Sequence, residues 1–266
     1  MTEGLLKADL DLRRGAIAEA GELALAHFRS TRSHWYKGPG QVVTAADLEV
    51  DALLKDALLG ARPGYGWLSE ESVDTGARLE RARVWVVDPI DGTRAFADRI
   101  PEFAISVALL EDARPVLGIV VNPATGEHFE AVRGGGASLN GAPLATSPHQ
   151  VLTDARLLSS RGEMKKRRWS EAFIEAKVRA IGSLAYKLAL VAAGRADGLV
   201  SLRRTHDWDI AAAHLLLEEA GGGLTLASGE AIAYNRPEPR HQGLAAAATP
   251  ALHGELIARL ARLQPS

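Results

Sequence analysis

Apolar residues recur at helical spacing through residues 5–28, with Leu10, Ile17, Leu23 and Phe28 along the stripe, so the chain opens with a predicted amphipathic helix. A polar, Gly-containing stretch over 29–41 reads as a loop. Val50, Leu54 and Leu58 predict a second helix beginning at Thr44, and Thr44-Ala-Ala-Asp47 supplies its capping box. Residues 65–68 form a short strand candidate that leads into Ser69-Glu70-Glu71-Ser72. The run Val84-Trp85-Val86-Val87 reads as a buried strand ending in a turn that carries Asp88-Pro-Ile-Asp91-Gly92-Thr93. Residues 104–110 and 115–121 read as paired strands around a turn at Glu111-Asp112-Ala113-Arg114.

The pattern changes near residue 150. Short apolar strands at 156–158, 178–181 and 198–202 alternate with helices predicted over 184–193, from about 208 to the glycines at 221–223, and over 250–263. The alternation predicts two closely packed halves, 1–149 and 150–266, that share a cleft.

Composition narrows the class. At 47% hydrophobic and 24% charged residues, the 266-residue chain has the balance of a globular protein. A net charge of −2 gives no broad field toward a nucleic-acid polymer or an anionic membrane. The absence of cysteine rules out thiolate metal sites and cysteine nucleophiles, and it fits a cytoplasmic location. No apolar run approaches the length of a membrane span.

The acidic turn concentrates the chemistry. Asp88 and Asp91 stand where a strand ends, the position at which α/β sheets bind ligands. The Gly92-Thr93 pair beyond them can turn backbone N–H groups toward a phosphate. Asp207-Trp208-Asp209 opens a helix and can bring a further carboxylate to the site, and Glu70 and Glu71 can bring another. Carboxylates gathered in this way repel unless cations neutralise them, and an all-oxygen set suits Mg²⁺. The Asp-x-x-Asp spacing fits neither an EF-hand loop nor the Asp-x-Asp turn of a phosphatase with an aspartate nucleophile.

These motifs resemble the inositol monophosphatase superfamily of Mg²⁺-dependent, lithium-sensitive phosphatases. The resemblance is carried by Trp85-Val-Val-Asp-Pro-Ile-Asp-Gly-Thr93, by Trp208-Asp-Ile-Ala-Ala-Ala213 running on to Glu219-Ala-Gly-Gly222, by Leu68-Ser-Glu-Glu71 and by Val43-Thr-Ala-Ala-Asp47, in family order. It implies a layered α-β-α-β-α fold of the α/β class, two or three Mg²⁺ ions, a small phosphorylated metabolite as substrate, and a homodimer. By motif position it also implies that Glu70, Asp88 and the Ile90 carbonyl hold one metal, and that Asp88, Asp91 and Asp209 hold a second. Asp47 and Thr93 would form the pair that activates a water, with Gly92 and Thr93 holding the phosphate. Gly182, Ser183, Lys187 and Arg204 would complete the substrate site together with Asp91 and Asp209. Lys37 matches a lysine the family often has near the metals.

The substrate expectation rests on few residues. Inositol-selective members of the family carry a Glu seven residues before the second-signature Asp, where this chain has Leu202. Arg203, Arg204 and Lys187 suit a second phosphate, and Leu68-Ser-Glu-Glu71 is similar to the nucleotidase pattern. The expectation is therefore a 3'(2'),5'-bisphosphate nucleotidase of the CysQ type acting on 3'-phosphoadenosine 5'-phosphate. The alternatives are an inositol-1-monophosphatase and a fructose-1,6-bisphosphatase.

Overall fold

The computed structural model describes residues 2–30, 34–38 and 41–263. The chain begins with α1 (Thr2–Arg29), the hairpin of β1 (His34–Gly38) and β2 (Gln41–Thr44), and α2 (Ala45–Ala61). There follow β3 (Gly66–Ser69), β4 (Arg83–Asp91), α3 (Thr93–Ala97), β5 (Ala104–Glu111), β6 (Arg114–Asn122), β7 (Glu127–Val132), β8 (Gly136–Leu139) and β9 (Ala142–Pro143). The remainder comprises β10 (Arg156–Ser159), α4 (Arg161–Met164), α5 (Arg167–Ala172), β11 (Lys177–Ala180), α6 (Leu184–Ala192), β12 (Gly198–His206), α7 (Asp207–Glu219), β13 (Gly223–Leu226), β14 (Arg240–Ala247) and α8 (Pro250–Ala261).

Strands β3 to β9 form a seven-stranded sheet in chain order, and the second sheet runs β11-β10-β12-β14-β13. Side chains alternate across β4. Trp85 and Val87 face α1 and α2, where they meet Ile17, Ala24, Val50, Leu54 and Leu58. Val84 and Val86 face the opposite way, onto α6 and α7. Both faces of this sheet are therefore buried, which explains the unbroken apolar run in the sequence. Helices α6 and α7 also pack on the second sheet through Leu199, Leu244 and Ala246, so they lie between the two sheets. Leu252, Leu256 and Leu260 of α8 and Trp169 of α5 cover the far face of the second sheet. The order of layers is α-β-α-β-α, as the motifs imply. Each buried Leu or Val contributes about 1.5–3 kcal/mol, from strands and helices alike.

The middle layer is tightly fitted. A Cβ on Gly118 of β6 would lie 2.5 Å from the Ala212 carbonyl oxygen, so β6 and α7 approach at backbone distance. Asp197, 2% exposed, ties the start of the second half together. It accepts Ser147 Oγ at 2.6 Å, Arg156 N at 2.7 Å and Arg156 Nη2 at 2.6 Å.

Three elements differ from the sequence expectation. Within the expected 29–41 loop, residues 34–38 form β1, which pairs antiparallel with β2, Trp35 with Val43 and Tyr36 with Val42; aromatic and β-branched residues favour that extended pairing. The 111–114 turn tightens to Asp112-Ala113, both at positive φ, with Glu111 paired to Arg114. The acidic segment is the end of β4 itself, not a turn beyond it. Its register with β5 breaks between Asp88 and Asp91, which re-aims both side chains.

Candidate active site

Parallel pairing sets the first contact. Ser69 of β3 is in register with Val87 of β4, and Glu70 N donates to Val87 O at 3.3 Å, so Glu70 lies beside Asp88. Asp88, Asp91 and Asp209 each present a ligand atom, and these atoms all lie within 4.8 Å of one another. Asp88 is 1% exposed and Asp91 9%.

Helix N-termini orient most of the carboxylates. Asp47 stands in the first turn of α2, where its Oδ2 accepts Thr44 N at 2.7 Å and Thr44 Oγ at 2.6 Å. Asp209 repeats the arrangement on α7, accepting His206 N at 2.6 Å. In both cases the reciprocal cap occupies one oxygen and leaves the other for the site. His206 stacks on Trp208 at 4.3 Å, a placed neighbour of the cluster. Asp91 Oδ2 accepts Ala185 N at 2.6 Å together with the Ser183 hydroxyl, at the N-terminus of α6. The positive ends of these helices favour the gathered negative charge.

The Asp47 capping role and its expected pairing with Thr93 coexist. Thr93 Oγ lies 3.2 Å from Asp47 Oδ1 and 3.0 Å from the Ile90 carbonyl oxygen, with Thr93 opening α3. Gly92 precedes it at φ +93°, and a Cβ there would lie 2.8 Å from Glu102 O and 3.2 Å from Ser183 Cβ. Glycine is required here by both conformation and space.

The electrostatics describe a site short of positive charge. Burial, followed by the charges of Glu70, Asp91 and Asp209, pushes Asp88 well above the usual carboxylate range. Burial and Asp209 push Asp91 up to about 6, against the hydrogen bonds from Ser183 and Ala185. Burial raises Asp47 to about 6 as well. Glu70, whose outer side is open to solvent, is pushed up to about 8 by burial of its carboxyl and by Asp209, Glu71, Asp91 and Asp47. Without a cation, ionising all of these groups together is costly. Among the described residues, no Lys or Arg hydrogen-bonds the Asp88, Asp91 and Asp209 group. A buried all-oxygen set of this kind fits a hard divalent cation.

The expected substrate residues are placed differently. Lys187 is 4% exposed, and its Nζ donates to Ile181 O at 3.1 Å. Burial lowers its ammonium to about 8 although Asp91 and Glu163 favour the charge. It is a core residue of α6, in which residues 185–192 are all buried. Ser183 is completely buried; it caps α6 and supports Asp91 instead of facing the cleft. Gly182 N donates to Glu102 Oε2 at 3.0 Å. Arg204 is exposed on β12, and its Nε reaches Gln242 Oε1 at 3.4 Å. The side chain of Lys37 lies outside the described residues. Ser69, read as a nucleotidase mark, gives its hydroxyl to Asp51. Its chemistry is spent inside the protein.

Comparison with known proteins decides the family. The model of the inositol monophosphatase family matches residues 6–264. The chain belongs to the inositol monophosphatase family. It is therefore a phosphatase, a phosphoric monoester hydrolase of a metal-dependent family. Over 201 residues it is 40% identical to inositol-1-monophosphatase of Rhizobium meliloti, an alignment that covers 73% of this chain and 75% of the relative. It is 35% identical over 195 residues to Nus factor SuhB of Escherichia coli K12, covering 70% and 72%. The solved inositol monophosphatase from Anabaena superposes with a TM-score of 0.82 at 27% identity, covering 98% of both chains. No helix among the described residues is long and apolar enough to cross a membrane.

Proposed function

We propose that this phosphatase hydrolyses small phosphate monoesters of the inositol 1-phosphate class with Mg²⁺, two or three ions being held by Glu70, Asp88, the Ile90 carbonyl, Asp91 and Asp209. The observation that carries the proposal is the convergence of Asp88, Asp91 and Asp209 within 4.8 Å beside the Thr93–Asp47 pair. Mg²⁺, when bound, neutralises phosphoryl oxygens and makes a water more acidic.

The chain's own groups supply the rest. Asp47 Oδ1 and the Ile90 carbonyl hold the Thr93 hydroxyl, leaving its oxygen to accept a proton from the attacking water. Thr93 passes its own proton to Asp47, whose Oδ1 accepts the Thr93 hydroxyl. The amides at the start of α3, from Gly92 and Thr93, bind the phosphate. Attack is in line and uses no protein nucleophile.

Two residue-level supports for a bisphosphate nucleotidase disappear, since Lys187 is buried and Ser69 faces Asp51. The 40% identity to a relative named inositol-1-monophosphatase supports the monophosphate class instead. The division into halves 1–149 and 150–266 rests on the change of pattern near residue 150, the cytoplasmic location on the absence of cysteine and the homodimer on the family resemblance, and all three belong to the same proposal. Asp91→Asn tests the metal site. It should lower Mg²⁺-dependent phosphate release by about a thousandfold or more, roughly 4 kcal/mol of transition-state stabilisation, with the near-UV circular dichroism retained. Activity close to wild type would exclude the assigned site.

A further inference from the structure

Glu70 differs from the other acidic residues of the site. Asp47, Asp88, Asp91 and Asp209 each have a carboxylate oxygen fixed by at least one hydrogen bond. Among the described residues, none donates to the Glu70 carboxylate. The residue as a whole is exposed at the end of β3, while its carboxyl lies among the other acids. With no hydrogen bond to hold the carboxylate, its place is set by the backbone that carries it.

The backbone is clasped from both sides by one buried residue that the proposed chemistry does not use. Asp51 lies one turn beyond Asp47 on α2 and is buried. Its Oδ1 accepts the Ser69 hydroxyl, and its Oδ2 accepts Ser72 Oγ at 2.6 Å. Each hydroxyl is held at its other end too. Ser69 Oγ accepts Glu71 N at 3.3 Å, and Ser72 Oγ accepts Trp67 Nε1 at 3.2 Å. Residues 69–72 thus form a loop whose two feet stand on one carboxylate, with Glu70 between them. The same face of α2 presents Asp47 to Thr93 and Asp51 to this loop, so a single helix sets the spacing between the Thr93 side and the Glu70 side of the site.

We infer that Asp51 is a positioning residue for Glu70, holding the 69–72 loop through Ser69 and Ser72 so that the Glu70 carboxylate meets the Asp88, Asp91 and Asp209 group. This inference rests on the proposed metal site. Residues that orient a metal ligand typically change metal affinity by about 10–100-fold when removed.

The test is Mn²⁺ binding to the metal-free protein, followed by the paramagnetic resonance signal of free Mn²⁺, an ion with the same oxygen-ligand preference as Mg²⁺. Wild type is compared with Glu70→Gln, Asp51→Ala, the double variant and Ser69→Ala/Ser72→Ala. Glu70→Gln and Asp51→Ala should each weaken one Mn²⁺ by about 10–100-fold. Because Asp51 acts through Glu70, the double variant should bind no more weakly than Glu70→Gln alone. The double serine variant should reproduce the Asp51→Ala loss with Asp51 intact. Asp51→Asn, which keeps one acceptor and the side-chain shape, should recover most of the affinity and serves as the reference if Asp51→Ala does not fold. If Glu70→Gln binds Mn²⁺ as wild type does, the metal site itself is wrong and the inference falls with it. If Glu70→Gln weakens binding and the Asp51 and serine variants do not, or if the losses add in full, the metal site stands and the role of Asp51 is refuted.

Discussion

Gly92→Ala probes how closely the start of α3 packs against Glu102 and Ser183. Gly92 has φ +93°, where an L-residue costs about 1–2 kcal/mol. The added Cβ would also lie 2.8 Å from Glu102 O and 3.2 Å from both Ser183 Cβ and Ser183 N. The nearest of these atoms is backbone and cannot swing aside, so overpacking adds about 1–3 kcal/mol, for a total of about 2–5 kcal/mol. Gly126 separates the two contributions, because it has φ +69° and a Cβ there would meet nothing within 4 Å. Gly126→Ala should therefore lose only about 1–2 kcal/mol. Urea unfolding of both metal-free variants, extrapolated to water, measures the difference. The damage at Gly92 should extend to metal binding. Glu102 O accepts Ser183 N at 3.1 Å, and the Ser183 hydroxyl supports Asp91. Equal losses at the two glycines, within about 0.5 kcal/mol, would refute the close packing described for Gly92.

Three other outcomes follow from the same structure. Asp47 and Asp91 are raised from 3.8 to about 6 and Glu70 from 4.5 to about 8, so the folded state holds these protons more tightly than the unfolded state. The resulting stability is full below about pH 4 and is lost as the pH rises toward about 6 and then 8. Calorimetry of the metal-free protein should show Tm falling across that window and Mg²⁺ flattening the profile; a flat metal-free profile would contradict the charge cluster. Asp197 behaves oppositely. Burial alone would raise its carboxyl, but Arg156 and Ser147 outweigh burial and hold it at about 2, so its stabilisation is present above about pH 3.8 and lost as the pH falls toward about 2. Asp197→Ala should cost about 2–4 kcal/mol in urea unfolding and leave turnover per folded molecule unchanged. Arg204→Ala, on an exposed strand position, should change kcat/KM for inositol 1-phosphate by no more than about twofold, and a tenfold rise in KM would return Arg204 to the substrate site.

Residues whose chemistry is local were legible in the sequence. Asp88 and Asp91 stand out as two carboxylates at the end of an apolar run, whereas Asp209, which also caps α7, stood out only through the motif that contains it. Asp47 was readable twice, as the partner of Thr44 in a cap and as the partner of Thr93, and the two oxygens of one carboxylate serve both. What was hidden depends on which way a side chain faces. Lys187 belongs to a helix buried on every side, and sequence spacing cannot reveal that a lysine there points inward. Ser69 carries the same letters whether its hydroxyl faces a substrate or Asp51. Strand β14 is rich in alanine, a poor strand former, and is held extended by pairing with β12 and β13 on either side. The break in register that aims Asp88 and Asp91 arises from pairing with β5, which no local pattern encodes.

The most direct measurement is Mg²⁺-dependent phosphate release from inositol 1-phosphate and from 3'-phosphoadenosine 5'-phosphate, compared as kcat/KM. A preference for inositol 1-phosphate of about tenfold or more, roughly 1.4 kcal/mol, is the predicted result. A comparable preference for the nucleotide, or release that does not require a divalent cation, would contradict the proposed function.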